Sequence, residues 1–246
     1  MILLVALALT LTGSVFANED DCKLTSRELL QKTGMDEATL SEMDDELMDY
    51  ISENLCSQVE DIDDVTWIPT SVELSDTRME GSRNTQLLTN ISFSAYAYKS
   101  GSVIYIYPTY EFTDMKRPRG NDSFAFQLGN AMAPYSFGGK MWYKLNAGDS
   151  WQSNPNDILT PNFTPLDGAV YSGNQLGTPD FPLYLRGVTY CYCSAGAGSD
   201  KRIAITYMYN PSILGFSYSF SYMGFGVNYT SSGTIYQAST IITLSY

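Results

Sequence analysis

From Trp67 onward, apolar and aromatic residues recur at every second position, and this alternation constrains the fold more than any other feature of the chain. In "ISFSAYAYKSGSVIYIYPTYEF", residues 91–112, two such runs flank Lys99, Ser100, Gly101 and Ser102, a turn signal that predicts a β-hairpin. Ile104, Ile106, Tyr110 and Phe112 then share one face, while Tyr107, Thr109 and Glu111 share the other. Further runs are "DSFAFQL", "GKMWYKL", "LYLRGVTYCYC", "RIAITYMY", "GFSYSFSYMGFGVNY" and "TIYQASTIITLSY", separated by Gly-, Pro- and Asn-rich loops, the longest over residues 146–182. Roughly eight strands with no helical stretch fit an antiparallel two-sheet β-sandwich of jelly-roll type better than a barrel or two small domains. In "GFSYSFSYMGFGVNY" the apolar phase flips at Met223, which predicts a bulge or a switch between sheets near Gly224.

Before Trp67 the period is helical. "LTSRE" offers Thr25 as N-cap with Glu28 three positions on, a capping box that opens a helix running to a stop at Gly34. In "SEMDDELMDYISENL", Leu40, Met43, Leu47, Tyr50, Ile51 and Leu55 form the apolar stripe of a second helix. The two make a hairpin joined at Gly34, followed by an acidic connector, "SQVEDIDDV". Stripes on so small a pair need a docking surface, on the following domain or on a partner. Residues 18–64 hold sixteen Asp and Glu against three Lys and Arg, a net −13, whereas residues 65–246 hold eleven of each. This asymmetry predicts two units: an acidic helical hairpin with its connector over 18–64 and a β-sandwich domain over 65–246.

The opening run, MILLVALALTLTGSVFA, ends with Val15 and Ala17 at the small-residue positions that precede signal-peptide cleavage. Residues 1–17 therefore read as a signal peptide, and the protein as secreted or extracellular, with cell-surface association compatible. The run is short against the ~20 residues that span a bilayer, so no stable membrane insertion is expected. A polyanionic segment and a neutral remainder, whose basic cluster is "KRPR" at 116–119, disfavour nucleic acid as a partner.

An exported chain with four cysteines points to disulfides. Cys22 and Cys56 bracket the helical hairpin, and Cys191 and Cys193 lie two apart in a strand. Such residues stand about 6.6 Å apart with parallel side chains, and a bridge wants Cβ atoms within about 4.5 Å. Cys191 and Cys193 therefore bond to each other only where the strand bends. Local pairing (22 with 56, 191 with 193), cross pairing and four reduced thiols are all open arrangements.

The chain has no histidine, which removes the Ser-His-Asp triad, the Cys-His pair, the HExxH zinc site and any histidine base. A zinc site would depend on the four cysteines alone, so no metal and no cofactor are expected. No phosphate-binding or nucleophile-elbow motif occurs. What survives is carboxylate chemistry, and the β-domain offers few candidates; Glu111 in "YPTYEFTD" reads as an outward strand residue. No catalytic residue is assigned. Aromatics remain: Trp142, Tyr143 and Trp151 cluster around the loop after "GKMWYKL", where a flat platform suits a sugar ring, and these three with Glu111 are the candidate ligand-binding residues if they converge on one concavity. Carbohydrate or another surface protein is the expected partner. Asn90, Asn121, Asn162 and Asn228 begin Asn-x-Ser/Thr sequons.

"LLQKTGMDEATLSEMDDELMDYISENL", followed by "YIYPTYEF" and "FSYSFSYMGFGVNY", resembles uncharacterised secreted proteins of Gram-positive bacteria that join a short acidic helical hairpin to a β-rich domain. The resemblance implies export and removes glycosylation from consideration; it transfers no site residue. The leading expectation is a non-enzymatic exported protein acting by surface contact. Its rivals are a carboxylate glycoside hydrolase and a β-pore-forming toxin that inserts its "GFSYSFSYMGFGVNY" segment.

Overall fold

The computed structural model describes residues 21–73, 85–114, 121–153, 158–172, 184–210, 217–220, 227–230 and 234–246. They form two units, one ending at Val65 and the other beginning at Thr66. The expected signal peptide and the "KRPR" cluster lie outside the described residues.

In the first unit α1 spans Ser26–Lys32, α2 Glu37–Glu42 and α3 Asp45–Gln58, with short 3-10 turns at Asp21–Lys23 and Ile62–Asp64. The predicted capping box opens α1: the Glu28 N–H donates to Thr25 Oγ1 (3.3 Å) and the Thr25 N–H donates to Glu28 Oε2 (3.0 Å). The chain leaves α1 through Gly34, at φ 87°. The expected second helix is two helices. Met43 adopts an extended backbone, ψ 139°, and the Asp44 side chain accepts the Leu47 N–H (3.0 Å), so a fresh N-cap starts α3 in the middle of the predicted stripe. The stripe survives the break, since Leu40, Met43, Leu47, Ile51 and Leu55 are all buried. A disulfide joins Cys22 to Cys56.

The strands of the second unit, in chain order, are β1 (Thr66–Trp67), β2 (Thr70–Glu73), β3 (Thr85–Leu87), β4 (Ile91–Ser100), β5 (Val103–Phe112), β6 (Asn121–Leu128), β7 (Met132–Lys144), β8 (Gly168–Ser172), β9 (Tyr184–Ala195), β10 (Arg202–Asn210), β11 (Ser217–Phe220), β12 (Val227–Thr230) and β13 (Ile235–Leu244). The first sheet runs β1-β4-β5-β9-β7, and the second runs β2-β13-β10-β6-β8. Pairing is antiparallel except for β3, which lies parallel to β13. From β5 to β10 successive strands alternate between the sheets, so the two inner faces meet as one core. Ile104, Ile106, Tyr110 and Phe112 of β5 are buried there with Phe124 and Phe126 of β6, Ile205 and Tyr207 of β10, and Ile242 of β13. This is the two-sheet β-sandwich that the alternation predicts.

Two local expectations change. The segment 146–182 contains β8, a five-residue strand too short to stand out by periodicity; its Ala169 and Tyr171 belong to the core. Residues 215–229 do not form one bulged strand: β11 and β12 pair antiparallel with each other, Ser217 opposite Thr230 and Phe220 opposite Val227. The phase flip at Met223 falls in 221–226, outside the described residues.

Candidate functional site

Alternation sends Leu185, Cys191 and Cys193 of β9 into the core and Tyr184, Arg186, Val188, Tyr190 and Tyr192 to the outer face of the first sheet. Arg186 is only 1% exposed. Register sets it between Glu111 of β5 and Trp142 of β7, so these three share one row across the sheet. The Trp151 ring comes from the segment after β7, which folds back along that strand: Tyr143 and Gln152 exchange two backbone hydrogen bonds of 2.8 Å, and the Leu159 N–H donates to the Gly139 carbonyl (2.9 Å).

The result is a layer of interleaved cations and rings. The Arg186 guanidinium carbon lies 5.1 Å from the Trp142 centroid and 4.6 Å from that of Trp151. Lys144 Nζ stands 4.4 Å from the Trp151 centroid and 5.5 Å from that of Tyr184, and Lys140 Nζ 5.2 Å from that of Trp142. Each distance is within the reach of a cation–π contact. Neither Lys140 nor Lys144 has a carboxylate within ion-pair distance among the described residues.

Three of the four residues singled out from sequence, Trp142, Trp151 and Glu111, therefore share this layer through Arg186. Tyr143 does not, because neighbours in a strand face opposite ways; its ring packs against the core. Trp142 is 2% exposed and Trp151 9%, so they offer no open platform for a sugar ring. Sequence reasoning passed over Arg186, Lys140 and Lys144. Their signals were present: a lone arginine inside the apolar run "LYLRGVTYCYC", and lysines two positions either side of Trp142.

Along the same face a tyrosine cluster continues the layer. Ring centroids stand 4.7 Å apart for Tyr98 and Tyr105, 4.9 Å for Tyr105 and Tyr192, and 4.8 Å for Tyr190 and Tyr192. The Tyr98 and Tyr107 hydroxyls are 3.2 Å apart, and burial holds the Tyr98 phenol far above its ordinary pKa. In the core, Asp122 shares the inward parity of Phe124 and Phe126 and is buried at the start of β6. Burial, and then the Asp122 charge, push the Tyr110 and Tyr207 phenols well up. These phenols stay neutral at physiological pH.

The cysteines take a mixed arrangement. Cys22–Cys56 is bonded, which rules out cross pairing and four free thiols. Cys191 and Cys193 are free and buried, with sulfurs 3.5 Å apart. The local bridge between them does not form: β9 stays a strand through both cysteines, with Cys191 opposite Ile106 and Phe137 and Cys193 opposite Ile104 and Pro134. No group of three or more Cys, Asp or Glu side chains able to hold a metal ion occurs among the described residues.

No protein-family model matches the chain, and no curated protein matches it in sequence. Among solved structures, similarity is found to a pore-forming protein (TM-score 0.36, 7% identity, 73% of this chain and 94% of that one). It is also found to the collagen-binding subdomain of an Enterococcus faecalis surface protein (TM-score 0.30, 8% identity, 59% and 94%). A third is the collagen-binding domain of a Staphylococcus aureus adhesin (TM-score 0.26, 6% identity, 56% and 87%). Likeness at these TM-scores carries no argument about function. No helix among the described residues is long and apolar enough to cross a membrane.

Proposed function

We propose that the protein is exported, non-enzymatic and active by surface contact, and that its β-sandwich unit binds an acidic region of another surface protein along β7. The observation that supports this is the pair Lys140 and Lys144: two half-buried ammonium groups set in an aromatic layer with no carboxylate partner among the described residues. β7 is the last strand on the hydrogen-bonded path of its sheet, and Ile158, bridged to Lys140, is 64% exposed beside it. Cations flanking an exposed aliphatic side chain suit a protein contact; the closed tryptophan faces leave little for a neutral sugar. Export rests on residues 1–17 acting as a cleaved signal peptide, so N-terminal sequencing of the exported protein should begin at Asn18.

The binding test uses immobilised polyglutamate as an acidic polypeptide, polygalacturonate as an acidic glycan and dextran as a neutral one. Polyglutamate binding that weakens with salt and falls about tenfold in the Lys140→Gln/Lys144→Gln variant is expected. Preference for polygalacturonate would move the partner to acidic carbohydrate. Binding to dextran that ignores both lysines would overturn the reading.

A further inference from the structure

The sandwich core holds two thiols in a chain that carries a formed disulfide elsewhere. Cys191 and Cys193 are both fully buried, and their side chains lean together until the sulfurs are 3.5 Å apart. Bond formation would need a further approach to about 2.05 Å, which requires β9 to pucker. What opposes the pucker is strand pairing: Cys191 lies opposite Ile106 and Phe137, and Cys193 opposite Ile104 and Pro134.

That restraint is uneven. On the β5 side the register is constant, and Ile104, Tyr105 and Ile106 pair with Cys193, Tyr192 and Cys191. On the β7 side the register shifts between Pro134 and Ser136, directly opposite Cys193 and Tyr192, leaving Tyr135 as an extra residue that is 58% exposed. Pro134 has no N–H to give to the ladder, and β7 ends the sheet's path. Two partly exposed tyrosines lie near Cys193: the phenols of Tyr135 and Tyr246 are raised by burial and then by that cysteine. The end of β7 at Met132–Ser136 is thus an irregularly paired stretch beside Cys193, the kind of segment that opens locally at less than the cost of global unfolding.

We infer that Cys191 and Cys193 are a gated modification site, a dithiol that closes to an intrastrand disulfide when the bulged end of β7 opens. The oxidant is a low-molecular-weight disulfide, RSSR. One cysteine thiolate attacks an RSSR sulfur and expels RS⁻, leaving a mixed disulfide; the second thiolate attacks the cysteine sulfur of that mixed disulfide and expels the other RS⁻. Two thiols lose two electrons and two protons, and RSSR leaves as two RSH. While the gate is shut, burial and the neighbouring thiol hold Cys191 well above the ordinary thiol pKa, so the pair is inert. The bridge puckers β9 and weakens its pairing with the Met132–Ser136 end of β7. This inference is independent of the proposed binding role.

The test exposes the folded, full-length protein to oxidised glutathione, quenches with acid and maps peptides without reduction. The peptide containing Cys191 and Cys193 should become lighter by two hydrogen atoms and retain no glutathione. Its rate should level off at high oxidant concentration, at a value faster than global unfolding followed by tryptophan fluorescence. Single variants Cys191→Ala and Cys193→Ala should instead keep glutathione as a stable mixed disulfide. Thiols that stay reduced after prolonged exposure, a wild-type mixed disulfide that never resolves, or oxidation only at the global unfolding rate would each overturn the inference, and these readings on the wild type need no variant to fold.

Discussion

Replacing Arg186 with methionine tests whether the cation–aromatic layer stabilises the sandwich, because methionine keeps much of the aliphatic volume and removes the charge. Two competing terms decide the sign. Losing contacts to Trp142 and Trp151, at 5.1 and 4.6 Å, costs about 1–2 kcal/mol each at desolvated rings, or about 2–4 kcal/mol together. Removing a buried charge relieves a desolvation penalty that can reach several kcal/mol. Two features favour a net loss. Guanidinium is more weakly hydrated than ammonium and stacks on aromatic faces, which lowers its burial cost relative to a lysine, and Glu111, half-buried in the same row, would be left facing a neutral side chain. A net loss of about 2 kcal/mol is expected. With a urea m-value of about 2 kcal/mol/M, the midpoint falls by about 1 M with an unchanged slope. Tryptophan emission reads this unit alone, since Trp67, Trp142 and Trp151 all lie in it. Arg186→Ala should lose more, because it adds a cavity. A methionine variant with an equal or higher midpoint would refute the argument and show that desolvation outweighs stacking.

Three further outcomes follow from local geometry. Reducing Cys22–Cys56, which spans a sequence separation of 34, should destabilise the helical unit by about 4 kcal/mol, seen as lost far-ultraviolet helicity with unchanged tryptophan emission. Gly187→Ala places a Cβ 2.3 Å from Cε1 and 2.6 Å from the hydroxyl of the fully buried Tyr110, so it should cost about 2–3 kcal/mol in a urea melt, and much less in a Tyr110→Leu background. Asp200 is held below the usual carboxylate range by hydrogen bonds from Arg202. Its contribution is therefore present above the unfolded-state pKa and lost as pH falls through the lowered folded-state value, so acid should lower the melting midpoint of wild type more steeply than that of Asp200→Asn.

How much of this was legible in the sequence depends on which physical rule governed each residue. Strand parity is a local rule, and alternation alone assigns Ile104, Ile106, Tyr110 and Phe112 to the core face they occupy; the capping box at Thr25 and Glu28 is equally local. Where two local rules compete, the pattern alone does not decide. The stripe from Leu40 to Leu55 reads as one helix, yet the Asp44 carboxylate captures the Leu47 N–H and restarts the helix after Met43. Trp142 and Tyr143 look like one cluster by proximity in sequence, while parity sends them to opposite faces, a distinction that the alternation already contained. What was not legible is register. That Arg186 lies between Glu111 and Trp142, and that a bulge at Tyr135 faces Cys193, depends on how β5, β9 and β7 are aligned, and these strands are far apart along the chain. A lone arginine in an apolar strand signals that something must accommodate its charge; only the fold shows that the Trp142 and Trp151 rings stand against it. The same limit applies to the thiols. Spacing two apart permitted either a bridge or a free pair, and which of them occurs depends on how β5 and β7 pair with β9 around the two cysteines.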